Sequence, residues 1–428
     1  MADETFLPDD LLRQLIGVGE VDLLVGVSSS AATDVLASVV QAISQSFQQQ
    51  FVRQRVVIVL MDDGVNHPNG LPVVPANPEL NRPRLHGLTS LRTIHQVTAG
   101  FTSSPHPGLA LRTILACADL LQAKACAVVS PFTPNLSADW ITKLLGPVYR
   151  DNFDLVAPLY SRHKYQGLLI RNLLYPMSRA VFGCEIREIF PAEWGFSGRL
   201  ASHSLNQDVW HDEPIRARPE AWMAIRANTP DFRCCQVYLG EKLQPLPGAS
   251  ADIVEILRET VGTLFWCLEQ QQSLWMERDG SQPAPTLGAT QKLTSEPTQM
   301  DRHRIYEMFR TGVTDLAPIL SSILDPETHS EVKNMVSIEE GKFRFNADLW
   351  VRTVYDFAAA YHRAVINRDH LIQALAPLYR GMTHSFLVQH TDSSPAEIEA
   401  ADEMLCSEFE LQKPYLKERW NAKAEVKS

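Results

Sequence analysis

The sequence predicts an α/β fold with a mixed, mostly parallel sheet, followed by a helical C-terminal region. Short apolar runs rich in β-branched residues alternate with stretches of helical periodicity in the first part of the chain, and amphipathic helical patterns fill the last part. Strands separated by helices are typical of parallel sheets covered by helices on both faces. Such sheets bind ligands beyond the carboxyl ends of their strands, so a functional site is expected there.

The elements of the first part follow in order along the chain. Apolar runs predict its strands, and apolar positions three or four residues apart predict the helices between them. The predicted strands are 22–27, 56–61, 126–129 and 154–157, and the predicted helices are 33–47, 109–121 and 137–149. A functional site is therefore expected in the loops that follow the strands, at 28–32, 62–70 and 130–135.

The second part of the chain is predicted to be helical. The amphipathic stretch 253–275 predicts a long helix, and 278–299 is rich in Gly, Pro, Ser and Thr, which predicts a loop or linker. Four further helical patterns follow, at 303–324, 347–366, 369–389 and 395–409. The expected blocks are an α/β domain at 1–250, a connecting helix at 251–277, a linker at 278–300 and a helical region at 301–428.

Composition excludes several classes of protein. The chain of 428 residues has 39 Lys and Arg against 50 Asp and Glu, a net charge of −11, which argues against a nucleic-acid partner. Seven cysteines are an odd number and form no Cys-x-x-Cys pair, so reduced thiols are expected. The acidic start and the absence of about 18 consecutive apolar residues predict a soluble, cytoplasmic protein without a membrane span.

Two acidic residues follow the second predicted strand. Asp62 and Asp63 come directly after an interior strand, where a carboxylate can bind a ribose or a base. The alternative is a turn or helix cap formed with Gly64, and the sequence leaves both open. Ser28, which opens the small-residue loop after the first strand, lies at the same predicted edge.

A basic turn follows the fourth predicted strand. Arg162, His163 and Lys164 provide cationic or proton-accepting groups that suit an anionic substrate such as a carboxylate or phosphate. The alternative is a solvated basic turn with a structural role only.

Two glutamates are further candidates. Glu193 precedes Gly195-Phe196-Ser197-Gly198, which is predicted to be a turn of small residues that a ligand can approach closely. Glu220 starts a helical pattern, and the alternative for it is a purely structural role at the helix N-terminus.

Ten short strings occur in a fixed order between residues 22 and 420. They are DLLVGV at Asp22, VVIVLMDDG at Val56, ADWITKLLGPV at Ala138, FDLVAPLYSRHKYQG at Phe153, LLYPMSRAVFG at Leu173, WGFSGRLA at Trp194, CQVYLGEK at Cys235, VGTLFWCLE at Val261, LAPLYRG at Leu375 and FELQKPYLKERW at Phe409. In this order they resemble the GT-A glycosyltransferases of the glucosylglycerate and mannosylglycerate synthase type. The resemblance covers nearly the whole chain.

The resemblance implies a function. Enzymes of that family transfer a hexose, with retention, from a nucleoside diphosphate sugar to a small anionic acceptor such as D-glycerate. A divalent cation, Mg²⁺ or Mn²⁺, neutralises the leaving diphosphate. By resemblance, Asp62 would bind the nucleotide, with Asp63 and Ser28 on the donor side. Glu193 and Glu220 fall where the family typically has aspartates for sugar hydroxyls and the acceptor.

The acceptor side is also implied by the resemblance. Arg162, His163, Lys164 and Tyr165 reproduce the family string after the fourth strand, and Ser197 lies in the matching string WGFSGRLA. These residues would line the acceptor site.

The sequence differs from the family pattern at the positions that would bind the metal ion and the donor diphosphate. The Asp-x-Asp that holds the metal and the donor ribose would fall at 129–132, which reads Val-Ser-Pro-Phe, and the metal-binding histidine would fall at Gln244. The lysine that faces the diphosphate is missing from 106–109, His-Pro-Gly-Leu. The first nucleotide loop is reduced to Ser-Ser-Ser-Ala-Ala at 28–32. No metal ligand is therefore assigned; Arg92 or Arg112 is an alternative source of positive charge.

Two functions follow from the sequence, and it does not choose between them. The first is hexosyl transfer of an altered, metal-independent design, with a nucleoside diphosphate sugar and a small anionic acceptor as partners. The second is a catalytically inactive pseudoenzyme that binds a sugar or a protein partner. The helical region leaves a homodimer open, because an amphipathic helix can either cover a cleft or form an interface.

Overall fold

The structure is a computed structural model that describes residues 7–64, 94–243, 252–290, 293 and 300–422. In these residues eight strands form one sheet: β1 Leu23–Val27, β2 Val56–Asp62, β3 Ile94–Gly100, β4 Ala125–Val129, β5 Leu155–Ser161, β6 Trp194–Ser197, β7 Cys234–Glu241 and β8 Thr286–Leu287. The strands follow one another in space in the order β3-β2-β1-β4-β6-β5-β7-β8. Only β6 runs antiparallel to its neighbours.

The described residues also form helices in both parts of the chain. The first nine are α1 Asp9–Val18, α2 Thr33–Gln50, α3 Pro107–Leu120, α4 Ala138–Asp151, α5 Tyr175–Phe182, α6 Gly198–Leu205, α7 Glu213–Ala217, α8 Pro219–Ala227 and α9 Ile253–Gln270. The remaining ones are α10 Gln272–Glu277, α11 Arg302–Asp315, α12 Ala317–Ile323, α13 Pro326–Met335, α14 Ala347–His362, α15 Arg368–Gln389, α16 Pro395–Leu411 and α17 Lys413–Asn421. None of the helices described is long and apolar enough to cross a bilayer.

Apolar strands and helices pack on both faces of the sheet. Leu36 of α2 and Leu144 of α4 belong to one buried cluster with Val25 of β1. Gly26 points to the other face, because side chains alternate along a strand. A Cβ atom on Gly26 would lie 2.5 Å from Cδ1 of Ile114, so α3 packs closely on that second face.

The mixed, mostly parallel sheet and the C-terminal helices confirm the predicted fold class. The predicted strands and helices of the first part are present with shifted ends. The strand β3 was not expected from the sequence. Ala125–Val129, which was expected to be the third strand, is therefore the fourth. In addition, Thr286–Leu287, within the segment predicted to be a linker, pairs with β7 as an edge strand.

The chain divides into two compact units. The first unit comprises 1–161, 190–247 and 285–292, and it contains the whole sheet. The second unit comprises 162–189, 248–284 and 293–428. Residues 162–189 thus belong to the helical unit, although they precede β6 in the chain.

Buried charge and aromatic packing hold the second unit together. Arg179 of α5 donates to Glu403 at 2.7 Å and to Glu410 at 2.9 Å, both on α16. The rings of Phe309 and Phe343 lie 4.8 Å apart between centroids. α16 begins at a capping box in which Ser394 and Glu397 satisfy each other's backbone N–H groups, as expected for this spacing.

Candidate functional site

The parallel strands of the first unit end at one side of the sheet, which we call the carboxyl edge. The antiparallel strand β6 begins there, since Trp194 pairs with Val128 near the end of β4. Glu193, directly before β6, therefore lies at the carboxyl edge together with the ends of β4, β5 and β7. This is the side at which open α/β sheets bind ligands.

Glu193 is the centre of a buried hydrogen-bond network at this edge. Its side chain has no exposed surface, and the Lys242 Nζ lies 2.9 Å from its Oε2. The hydroxyl of Tyr160, near the end of β5, donates to the same oxygen at 2.5 Å. The hydroxyl of Thr133 donates to Oε1. The carboxylate is thus enclosed by one cation and two hydroxyl donors from three different strand ends.

Lys242 lies between the network and the protein surface. It follows β7 directly, its side chain is 19 % exposed, and its Nζ lies 4.7 Å from the centroid of the Tyr160 ring. An ammonium over an aromatic ring is held there by the charge distribution of the ring. The chain therefore supplies its own cation at the carboxyl edge.

The loop after β4 contains the positions where the resemblance implies the Asp-x-Asp. Ser130 accepts the backbone N–H of Phe132 at 3.2 Å, and the Phe132 ring is 56 % exposed. The Asn135 amide donates to the Glu241 carbonyl at 2.6 Å and accepts the Leu243 N–H at 3.2 Å, so it ties this loop to the end of β7.

The side chains of this loop do not fit a divalent cation. Mg²⁺ and Mn²⁺ prefer several carboxylate or carbonyl oxygens. Asn135 uses both amide atoms in backbone contacts, and Glu193 is enclosed. Among the described residues no three His, Cys, Asp or Glu side chains form a group that would hold a metal ion. Gln244 and Arg92 lie outside the described residues.

The donor-side candidates lie on two neighbouring strands at the carboxyl edge. Oδ1 of Asp62 accepts the Gly64 N–H at 2.8 Å, with Gly64 at a φ of 69°. This is the turn with Gly64 that the sequence analysis gave as the alternative to a ligand-binding role. Asp63 is buried, and the Ser28 N–H donates to the Val129 carbonyl at 2.9 Å. Ser28 thereby joins the ends of β1 and β4.

His106, in the segment 106–109 that the resemblance would place at the diphosphate, caps α3. Its Nδ1 accepts the Leu109 N–H at 3.1 Å, which satisfies a backbone donor at the helix start. Burial lowers the pKa of His106, and the positive charge of Arg216 acts in the same direction. Burial also lowers the pKa of Arg112 on α3.

Glu220 and Glu193 have different partners. Arg218 Nε donates to Glu220 Oε1 at 2.5 Å, and Glu220 lies in the first turn of α8. A carboxylate in this position favours the helix N-terminus. The Arg218 guanidinium also lies over the Phe190 ring at 5.2 Å. Glu220 therefore has the contacts expected of the structural alternative.

Ser197 lies at the opposite side of the sheet from Glu193. It pairs with Ala125 at the start of β4, because β6 runs antiparallel. Its hydroxyl donates to Asp154 Oδ1 at 2.7 Å and accepts the Leu200 N–H at 3.1 Å, which caps α6. The structure does not bring Ser197 together with Glu193.

The stretch 195–198 is not the open turn predicted from its small residues. Its first three residues belong to strand β6. A Cβ atom on Gly195 would lie 2.3 Å from the Leu144 carbonyl oxygen. The glycine is thus required by the approach of α4, and the prediction of a ligand passage there is wrong.

The basic turn belongs to the second unit, where its cations have partners. Arg162 forms an ion pair with Glu188, whose side chain is 4 % exposed. Lys164 Nζ donates to the Thr391 carbonyl at 2.5 Å, just beyond the end of α15. Cations at a helix C-terminus are stabilised by the helix dipole.

The other residues of the turn are also packed within the second unit. Arg302 donates to the Tyr165 hydroxyl at 3.3 Å. The rings of His163 and Tyr165 are 5.6 Å apart. Burial lowers the pKa of His163, as does the neighbouring charge of Lys164. This turn supports packing of the helical unit.

Three residues of the Glu193 network were not named as candidates from the sequence: Thr133, Tyr160 and Lys242. Thr133 lies in the loop 130–135, which was expected to be near a site, Tyr160 lies near the end of β5, and Lys242 directly follows β7. Their position at strand ends is the sequence signal that could have indicated them. These residues meet at Glu193 only because of the order of the strands in the sheet, and that order was not predicted from the sequence.

Comparisons with known proteins gave matches only among solved structures. No protein-family model matches the chain, and no curated protein sequence matches it. The chain is similar to glucosyl-3-phosphoglycerate synthase from Mycobacterium tuberculosis, with 14 % identity and a TM-score of 0.37, over 63 % of this chain and 85 % of that one. It is also similar to mannosyl-3-phosphoglycerate synthase from Rubrobacter xylanophilus, with 15 % identity and a TM-score of 0.34, over 62 % and 80 %. The resemblance stated from the sequence is thus confirmed as a likeness to these synthases, at low identity.

Proposed function

We propose that this protein is a glycosyltransferase-like protein that binds a nucleotide sugar or its nucleoside part and does not transfer the hexose. The observation that carries the proposal is the enclosure of Glu193 by Thr133, Tyr160 and Lys242. A carboxylate that acts as a nucleophile or general base must reach the reacting atom. This carboxylate has no exposed surface from which to do so.

The loop after β4 supports the same proposal. Transfer in the family relies on a cation that stabilises the departing diphosphate. Ser130, Phe132 and Asn135 occupy the loop that the resemblance assigns to the metal ligands, and they do not fit a divalent cation. Leaving-group stabilisation of the family type is therefore not expected here.

Binding of the nucleoside is the part of the function that the carboxyl edge supports. Asp62 and the loop that begins at Ser28 lie at the ends of adjacent parallel strands. Carboxylates and small residues at such ends are suited to bind a ribose or a base. The mycobacterial synthase was crystallised with Mn²⁺, UDP and glucosyl-3-phosphoglycerate, so a uridine nucleotide is the first ligand to test.

Thermal unfolding with ligands tests this function. The ligand panel contains UDP-glucose, GDP-mannose and their nucleoside diphosphates, each with and without Mn²⁺, and the acceptors are D-glycerate and 3-phosphoglycerate. We expect one nucleotide to raise the melting temperature by the same amount with and without Mn²⁺, since a ligand of the native state stabilises it. No shift with any nucleotide would contradict nucleotide binding.

Lys242 favours a second function, metal-independent hexosyl transfer. An ammonium at the carboxyl edge can stabilise a departing diphosphate in place of a metal. In this alternative Asp62 binds the nucleotide, and Glu193 or Glu220 lies near the transferred sugar. Product formed from the same panel without metal would favour it over the first proposal.

A further inference from the structure

The starts of the strands line a cleft on the side of the sheet opposite the carboxyl edge. We call it the amino-edge cleft. Its volume is about 480 Å³. The residues that line it are Lys124, Val148, Tyr149, Asn152, Phe153, Asp154, Ser197, Arg199 and Arg233. A volume of this size is within the range of small-molecule sites.

Three cations and one carboxylate line the amino-edge cleft. Lys124, Arg199 and Arg233 carry positive charge, and Asp154 carries negative charge. The side chains of Lys124 and Arg199 are 66 % and 60 % exposed. In a chain with a net charge of −11, this concentration of positive charge is unusual.

The only carboxylate in the lining is fully engaged. Asp154 is 5 % exposed. Its oxygens accept the Ser197 hydroxyl at 2.7 Å, the Arg199 Nη2 at 2.6 Å and the Arg233 backbone N–H at 2.9 Å. It neutralises one cation, and Asp22 beside the cleft pairs with Lys124, so one net positive charge remains among these groups.

The cations keep hydrogen-bond donors for a ligand. Lys124 has three N–H donors, and among the described residues Asp22 alone accepts from them, at 2.7 Å. Arg199 uses Nε and Nη2, and no described residue accepts from its Nη1. Arg233 donates from Nη1 to the carbonyls of Asp151 and Asn152, so within the described residues its Nε and Nη2 have no acceptor.

The cleft also has an apolar wall. Val148, Tyr149 and Phe153 are part of the lining. The Arg233 guanidinium lies 4.6 Å from the centroid of the Phe153 ring, which fixes that cation beside the apolar surface. Cations next to an apolar wall suit a ligand with one anionic and one apolar end.

We propose that the amino-edge cleft binds a small organic phosphate. Lys124, Arg199 and Arg233 donate to the phosphate oxygens, and Val148, Tyr149 and Phe153 contact the organic part. A phosphate dianion has several strong acceptor oxygens and therefore matches a cluster of Lys and Arg donors. The site lies at the other end of the strands from the proposed nucleotide site and does not depend on it.

Isothermal titration calorimetry with phenyl phosphate tests this site, with inorganic phosphate as competitor and benzyl alcohol as the uncharged counterpart. We expect phenyl phosphate to bind, inorganic phosphate to compete and benzyl alcohol not to bind. The variant Lys124→Gln should weaken binding by about tenfold, because a hydrogen bond to a charged group contributes about that factor. Lys124→Gln combined with Arg233→Gln should weaken it further.

The controls separate the site from nonspecific charge effects. Arg13→Gln removes the same charge from an exposed position, 76 % accessible, and should leave the affinity unchanged. Lys124→Gln leaves the partners of Asp154 intact and removes the ion pair with Asp22, in which the lysine side chain is 66 % exposed, so its melting temperature should stay close to that of the wild type. The proposal is overturned if phenyl phosphate does not bind at millimolar concentration, if benzyl alcohol binds equally well, or if both variants bind with wild-type affinity.

Discussion

Lys242 Nζ lies 2.9 Å from Oε2 of Glu193, a carboxylate without exposed surface. The two residues flank β7 and β6, which are separated in the sheet by β5. The ion pair therefore joins two strands that do not pair with each other, at the edge where a ligand site is expected.

Removal of the cation from this pair should destabilise the first unit. Lys242→Met leaves the Glu193 carboxylate buried and uncompensated, which should reduce the free energy of unfolding by about 3 kcal/mol. Urea denaturation measures the change. Lys143→Met, in the partly exposed pair with Asp139, is the matched control and should reduce it by less than about 1 kcal/mol.

The double variant Lys242→Met with Glu193→Gln distinguishes an uncompensated charge from lost packing. Since it removes both charges, it should be more stable than Lys242→Met alone. If it is no more stable than the single variant, the ion pair is not the reason for the loss.

Gly195→Ala should destabilise the protein through a steric conflict. Its Cβ would lie 2.3 Å from the Leu144 carbonyl oxygen, which is backbone and cannot rotate away. We expect a loss of about 2 kcal/mol in urea denaturation. Gly17→Ala in helix α1 is the control, because no heavy atom outside its chain neighbours and its own helix backbone lies within 4 Å of its Cβ, and it should stabilise by up to about 1 kcal/mol. Equal effects of the two substitutions would contradict the packing described for β6.

Asp154 should make stability depend on pH in the acidic range. Burial raises the pKa of Asp154, but hydrogen bonds from Arg199, the Arg233 backbone and Ser197 outweigh burial and hold the pKa below its ordinary value of 3.8. The stabilisation is therefore complete above that value and is lost as the pH falls through the lower pKa of the folded state. The wild type should exceed Asp154→Asn in melting temperature at pH 7, and the difference should shrink below about pH 4. A difference that stays constant from pH 7 to about pH 3 would show that the carboxylate charge is not involved.

Arg162→Met should destabilise the second unit by leaving Glu188 buried without its cation. The expected loss is about 3 kcal/mol, and combining it with Glu188→Gln should restore part of the stability. Lys342→Met, in a pair that is 80 % and 71 % exposed, is the control with little expected effect. Denaturant unfolding measures all three variants. If Arg162→Met unfolds at the wild-type denaturant concentration, Arg162 is not a structural residue of this unit.

The sequence predicted the fold class because its central strands are apolar on both faces. Val56–Asp62 has six buried residues in succession, which marks an interior strand without any alignment. Ile94–Gly100 was not predicted, since it is an edge strand with only two buried residues. A continuous apolar run in the sequence indicates a buried strand. A strand that is half exposed lacks such a run and is therefore harder to predict.

The site could be predicted only in part, for a related reason. Glu193 was identified as a candidate because it precedes a string with small residues. Its partners Thr133, Tyr160 and Lys242 are distant in sequence and meet only through the order of β4, β6, β5 and β7. Ser197 was assigned to the same site, but the antiparallel direction of β6 puts it at the other edge.

A transfer assay with the donor and acceptor panel tests the central proposal most directly. Radiolabelled hexose is followed into product with the wild type and with Glu193→Gln, in the presence and absence of Mn²⁺. We expect no product above the level without protein in any combination, because the carboxylate is enclosed and the loop after β4 does not fit a metal. Product that forms with the wild type and is lost in a Glu193→Gln variant that remains folded would contradict the proposal.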